Sequence, residues 1–305
     1  MNSILRTPDE RFANLPGFAY APRYLEDLRG YEGLRAHYVD EAPASSKQAA
    51  PQTFLCLHGE PTWSYLYRRM IPVFSQAGHR SVAPDLFGFG RSDKPAIDAR
   101  YTFDFHRNFL LAFIERMNLT NITLVVQDWG GLLGLTLPME MPERFSRLLV
   151  MNTMLATGDL PLTEGFIAWR SWVAANPNLD CAKLLGRACR HLSAEEAAAY
   201  EAPYPEATFK GGARRFPALV PDAPDAPGAT LSRKARYWWT NNWRGDTFMA
   251  VGAKDPVLGP PVMETLRGWI RGCPPAYLHP QAGHFAQEWG EDIASRALSH
   301  FSRPD

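Results

Sequence analysis

One segment constrains the chain more than any other: Leu124-Val125-Val126-Gln127-Asp128-Trp129-Gly130-Gly131-Leu132-Leu133-Gly134-Leu135. An apolar, β-branched run reads as a buried strand, Gln127 to Gly130 as a sharp turn, and the apolar residues beyond as a helix. A strand that turns so tightly into a helix holds the side chain at the turn out at the rim of a sheet. That side chain is Asp128. It can be a helix N-cap, or it can be a carboxylate nucleophile that attacks carbon and becomes an ester. The segment alone leaves both readings open.

The rest of the chain repeats the strand-then-helix grammar. Short apolar runs at Phe54-Leu55-Cys56-Leu57, Ser81-Val82-Ala83-Pro84, 145–152, 247–251 and 276–278 read as strands, and 34–40 as a half-exposed one. Helical spacing covers 64–77, 101–117, 261–270 and 289–301, and 42–51 reads as a loop. This alternation predicts a mostly parallel sheet with helices on both faces, and ligands at the carboxyl ends of its strands. Between them, 155–228 has no buried strand, only helical segments at 164–175, 179–191 and 194–200 and a Pro-rich exit. The expected division is a core domain of residues 1–154 and 229–305 with an inserted helical cap at 155–228. Residues 1–30 read as an ordered arm.

Composition narrows the partners. Lys plus Arg equals Asp plus Glu at 32 each, so charge offers no reason to expect nucleic acid or an anionic membrane. Nine Trp and seventeen Phe suggest an aromatic-lined interior. The four cysteines form no C-x-x-C pair and are expected as buried free thiols. The start of the chain has no apolar signal segment, and no run approaches the roughly 20 apolar residues of a membrane span, so a cytoplasmic location is expected.

Three reactive side chains then fall just past strand ends, in the order Asp128, Asp255, His284. A histidine beside the nucleophile can act as base, and an acid can fix its tautomer and stabilise the imidazolium. The order nucleophile, acid, histidine is that of the α/β-hydrolase fold. Gly283 permits the turn that aims His284 at the rim.

His58-Gly59-Glu60-Pro61-Thr62-Trp63, Asp85-Leu86-Phe87-Gly88-Phe89-Gly90-Arg91-Ser92-Asp93, Gln127-Asp128-Trp129-Gly130-Gly131 and Gly283-His284-Phe285 resemble the haloalkane dehalogenases over nearly the whole chain. The resemblance is closest to the subfamily whose acid follows the late strand, here Asp255. The larger subfamily places the acid where this chain has Asn152, which the resemblance implies helps to bind halide. It further implies that Trp129 and Trp169 clamp halide and that the backbone N–H groups of Glu60 and Trp129 form an oxyanion hole. Leu132, Phe166, Phe216, Pro217, Val220 and Leu258 would line the pocket. Indole N–H is a donor only, which suits a leaving halide. The implied reaction takes a small halogenated alkane and water to an alcohol, halide and a proton through an alkyl ester on Asp128. It needs no metal or organic cofactor, and no zinc-binding pattern or phosphate-binding loop is found.

The nearest rival is an epoxide hydrolase, which shares the Asp nucleophile and needs acidic phenols, here Tyr200, Tyr204 or Tyr237. A fluoroacetate-type dehalogenase would want a basic residue where Trp129 stands. An ester hydrolase is disfavoured by Asp in place of Ser. From another class stands a non-catalytic binding protein of the same fold, disfavoured because all three triad residues are present.

Overall fold

The computed structural model describes residues 3–44 and 51–302. Part of the loop expected at 42–51, residues 45–50, lies outside them. Among the described residues the strands are β1 Ile4–Leu5, β2 Arg23–Leu25, β3 Ala36–Glu41, β4 Thr53–Leu57, β5 Arg80–Pro84, β6 Lys94–Pro95, β7 Ile122–Val126, β8 Phe145–Met151, β9 Asp246–Gly252 and β10 Tyr277–His279. The helices are α1 Ile71–Gln76, α2 Phe103–Arg116, α3 Asp128–Gly134, α4 Glu164–Ala175, α5 Cys181–Ala188, α6 Ala194–Ala199, α7 Gly211–Arg215, α8 Ala229–Asn241, α9 Pro260–Trp269 and α10 Gly290–Phe301.

The main sheet runs β10-β9-β8-β7-β4-β5-β3-β2. From β10 to β5 every pairing is parallel, while β3 and β2 join antiparallel. Every residue of β4 and β7 is buried, because helices cover both faces of the sheet at its centre. The segment between β8 and β9 holds helices α4 to α8 and no strand, as the Pro-rich, periodic sequence there implies. The arm packs inward: Phe12 and Phe18 meet the Trp63 ring edge-on at 5.5 and 5.2 Å, and β2 extends the sheet.

Two elements depart from the sequence reading. The helix expected over 64–77 is broken into a 3-10 turn, Ser64–Tyr67, and α1. Pro72 has no N–H to give and its ring blocks the carbonyl four residues earlier, so one continuous helix cannot run through it. Helix α8 was not expected, although its buried residues Ala229, Ser232, Ala235 and Trp239 recur at helical spacing. The four cysteines are buried and unpaired. No helix among the described residues is long and apolar enough to cross a membrane.

Candidate active site

Five adjacent parallel strands bring five loops to one edge of the sheet. Gly59 and Glu60 follow β4, Asp128 follows β7, Asn152 follows β8, Asp255 follows β9 and His284 follows β10. The elbow after β7 is strained: Asp128 has φ of +50°, a left-handed conformation that costs a non-glycine residue roughly 1–2 kcal/mol. Neighbouring bonds hold it there. Its backbone N–H donates to the Asn152 carbonyl at 3.0 Å, and Thr153 Oγ1 donates to its carbonyl at 2.7 Å. A Cβ on Gly130 would lie 2.0 Å from the Leu57 carbonyl oxygen, so only glycine lets α3 seat against the end of β4.

Asp128 does not cap its helix. Gln127 occupies the N-cap position without a side-chain cap bond. The Asp128 carboxylate instead accepts from another loop, with Glu60 N–H donating to Oδ1 at 2.8 Å. That loop passes so close that a Cβ on Gly59 would sit 2.2 Å from the same oxygen.

His284 bridges the two acids. Its Nδ1 lies 2.8 Å from Asp255 Oδ2, and its Nε2 lies 3.4 Å from Asp128 Oδ2. Nε2 is also 3.0 Å from the Gln127 side-chain nitrogen, which donates to the His284 carbonyl at 3.0 Å as well. Nε2 thus has an acceptor in Asp128 when charged and a donor in Gln127 when neutral. Burial disfavours the charged ring, but Asp255 and Asp128 outweigh it and hold His284 well above the ordinary imidazole range. Burial likewise pushes Asp255 up, yet the His284 charge and hydrogen bonds reverse this and leave it below the usual carboxylate range. Val257 N–H donates to Asp255 Oδ1 at 2.8 Å.

Asn152 serves this acid rather than a halide. Its amide nitrogen donates to Asp255 Oδ2 at 3.0 Å and to the Gly252 and Leu258 carbonyls at 3.2 Å, while its oxygen accepts from Gly252 N–H at 2.7 Å. It is fully buried and forms no part of the cavity wall. The halide contact implied for it is therefore corrected: its hydrogen-bonding atoms are spent on the loop that presents Asp255.

In front of the carboxylates lies a cavity of about 290 Å³ whose wall includes Asp128, His284, Glu60, Trp129, Trp169, Phe166 and Pro217. A recess of about 30 Å³ beside Asp128 and Trp129 is lined by Leu132, Phe166, Val220 and Leu258. Phe216 differs from expectation. It lines neither space but packs behind Trp129, ring centroids 4.5 Å apart. Leu184, Ala188, Pro256 and Val257 also face the cavity and were not anticipated, since nothing local in sequence distinguishes them from core. Trp169, Leu184 and Ala188 are shared with an outer groove of about 580 Å³ between α4 and α5, so the groove lies next to the cavity.

The phenols an epoxide would need are elsewhere. Tyr200 donates to Glu288, Tyr204 donates to the Pro61 carbonyl at 3.4 Å, and Tyr237 is 70% exposed. None of the three lines the cavity.

Comparison with known proteins shows the family and the fold. A family model described as the alpha/beta hydrolase fold matches residues 52–291. A haloalkane dehalogenase of Psychrobacter cryohalolentis is 43% identical over 297 residues, covering 95% of each chain. One of Mycolicibacterium paratuberculosis is 40% identical over 302 residues, covering 97% of each. Among solved structures, the haloalkane dehalogenase DpaA from Paraglaciecola agarilytica NO2 superposes with a TM-score of 0.94 at 50% identity, covering 99% of this chain and 100% of that one.

Proposed function

This chain belongs to the haloalkane dehalogenases, hydrolases of the α/β-hydrolase fold that act on carbon–halide bonds, and from that premise we propose how its residues divide the reaction. Oδ1 of Asp128 is held by the Glu60 N–H, so it becomes the ester carbonyl oxygen, and Oδ2 is the attacking atom. Oδ2 displaces halide from an sp3 carbon. The C–O bond forms as the carbon–halogen bond breaks, and the halide leaves with the electron pair. The indole N–H groups of Trp129 and Trp169 receive it where the charge appears.

Alkylation removes the Asp128 charge. His284 then feels only Asp255, its proton affinity falls, it gives its Nε2 proton to solvent and becomes a base, and it takes a proton up again once the Asp128 carboxylate is restored. It takes a proton from water as the water oxygen attacks Cγ of the ester. The oxyanion on Oδ1 is held by the backbone N–H groups of Glu60 and Trp129. Collapse expels the alkoxide, carrying the former Oδ2, and His284 returns the proton to it. The new carboxylic acid of Asp128 loses its proton to solvent, so one alcohol, one halide and one proton result.

The observation that carries this reading is the relay from Asp255 through His284 to Asp128, at 2.8 and 3.4 Å, opening on a cavity walled by both tryptophans. A cavity of about 290 Å³ suits small chloro- and bromoalkanes. Residues 155–228 act as the cap over the core of 1–154 and 229–305. The four unpaired thiols fit a reducing, cytoplasmic setting.

The test is release of bromide and acid from 1,2-dibromoethane or 1-bromobutane in weak buffer. His284→Gln should stop turnover and leave an alkyl adduct on Asp128, seen as a mass increase of the intact protein. Turnover that stops without an adduct refutes the two-step scheme.

A further inference from the structure

Glu60 enters the mechanism only through its backbone, yet its side chain is the most unusual group in the cavity. The residue is 4% exposed and lines the catalytic cavity beside Asp128, Trp129, Trp169 and His284. Its Oε1 is buried with no hydrogen-bond partner. The Trp169 indole contributes a hydrogen-bonding interaction to the same carboxyl. A buried carboxyl oxygen left without a partner, on the wall of a site built to receive an anion, is a donor or acceptor waiting for a ligand.

Its ionisation decides which. Burial, and next the negative charge of Asp128, hold the Glu60 carboxyl well above the ordinary carboxylate range, with His284 and Trp169 pulling more weakly the other way. A carboxylate would repel halide, whereas a neutral acid has an O–H to offer, as a buried acid can at neutral pH. We propose that the Glu60 side chain donates its O–H to the departing halide beside Trp129, while the single Trp169 N–H turns from the Glu60 carboxyl to the same halide. This rests on the halide-clamp reading of the two tryptophans.

The consequence is linkage: halide binds the protonated form, so its affinity weakens as pH rises through the Glu60 titration, by up to about tenfold per pH unit. The groups facing Glu60 are Asp128 on the elbow, His284 after β10, Cys181 on α5 and Tyr204 in the segment before α7, with Lys254 on the same cavity wall. Burial keeps Cys181 and Tyr204 neutral between about pH 6 and 9. His284 is the competing titrating group, so the measurement is made in the His284→Gln background.

Bromide titrations followed by tryptophan fluorescence should give a dissociation constant that rises with pH in His284→Gln. Adding Glu60→Gln should flatten that dependence, because an amide donates at every pH. Adding Glu60→Asp should keep the slope with weaker binding, and Glu60→Leu should weaken binding about tenfold at low pH and leave no slope. Thermal melts check that each variant folds. An unchanged slope in the Glu60→Gln double variant, or full affinity in Glu60→Leu, overturns the proposal while leaving the clamp intact. Absence of any bromide response in every variant overturns the clamp itself, and this proposal with it.

Discussion

Replacing Asp255 with Asn separates the two chemical steps. The Asp255 side chain is fully buried and uses both oxygens: Oδ1 accepts from Val257 N–H at 2.8 Å, and Oδ2 from Asn152 at 3.0 Å and His284 Nδ1 at 2.8 Å. An amide has one acceptor oxygen. Placed at the Oδ2 position, it turns its NH2 toward the Val257 N–H, leaving a buried donor unpaired at a cost of about 1–3 kcal/mol. Placed at the Oδ1 position, it turns its NH2 toward His284, which must then carry its proton on Nε2 and cannot act as base. Either way the imidazolium loses its counter-charge. The same exchange in a serine protease costs a factor of about 10⁴, or roughly 5.5 kcal/mol at 1.36 kcal/mol per decade. The alkylation step uses Asp128 and the tryptophans, not the base, and should survive. Asp255→Asn should therefore release about one equivalent of bromide per site in a burst and then turn over about 10⁴-fold more slowly, with the alkyl adduct persisting. Rapid-quench halide measurement and intact mass read both events. Steady-state turnover within about tenfold of the parent, or loss of the burst itself, would refute this division of roles.

Trp169→Phe removes one halide donor while keeping the ring. It should lower the rate of bromide release from 1-bromobutane by about 10²–10³-fold and reduce the fluorescence response to bromide; an unchanged burst rate would remove Trp169 from the clamp. His106 is fully buried with both ring nitrogens unpartnered, packed against Tyr101, Phe105 and Phe216, and burial, then the His58 charge, push it down to about 3. Between its unfolded value near 6.5 and about 3, the unfolded chain binds a proton that the folded one does not, so stability falls as pH drops through that window. His106→Leu should raise stability by about 1–3 kcal/mol at neutral pH and flatten the acid loss, measured by urea unfolding at pH 7 and 5. An acid loss as steep as the parent's would contradict the cause assigned.

What the chain wrote locally was readable without coordinates. Buried strands are continuous apolar runs, so β4, β7, β8 and β9 could be located, and after β4, β7 and β9 the turn is marked by Gly, Pro or Asp. Because parallel strands share one carboxyl edge, the sequence order Asp128, Asp255, His284 already implied that these residues gather there. The Pro72 break and the helical spacing of α8 are also present in the letters.

Tertiary structure alone decided the rest, because it depends on what lies beside a residue in space rather than along the chain. Asn152 turns out to hold the acid because β8 and β9 are neighbours, which puts its amide against Gly252 and Asp255. Phe216 supports Trp129 from behind, a matter of how the segment before β9 packs. Glu60 reads in sequence as a loop carboxylate, ordinarily charged and solvated. Only its burial against Asp128 holds it above the ordinary carboxylate range with Oε1 unpartnered, since desolvation and a like charge act through space and leave no mark on the residues next to it.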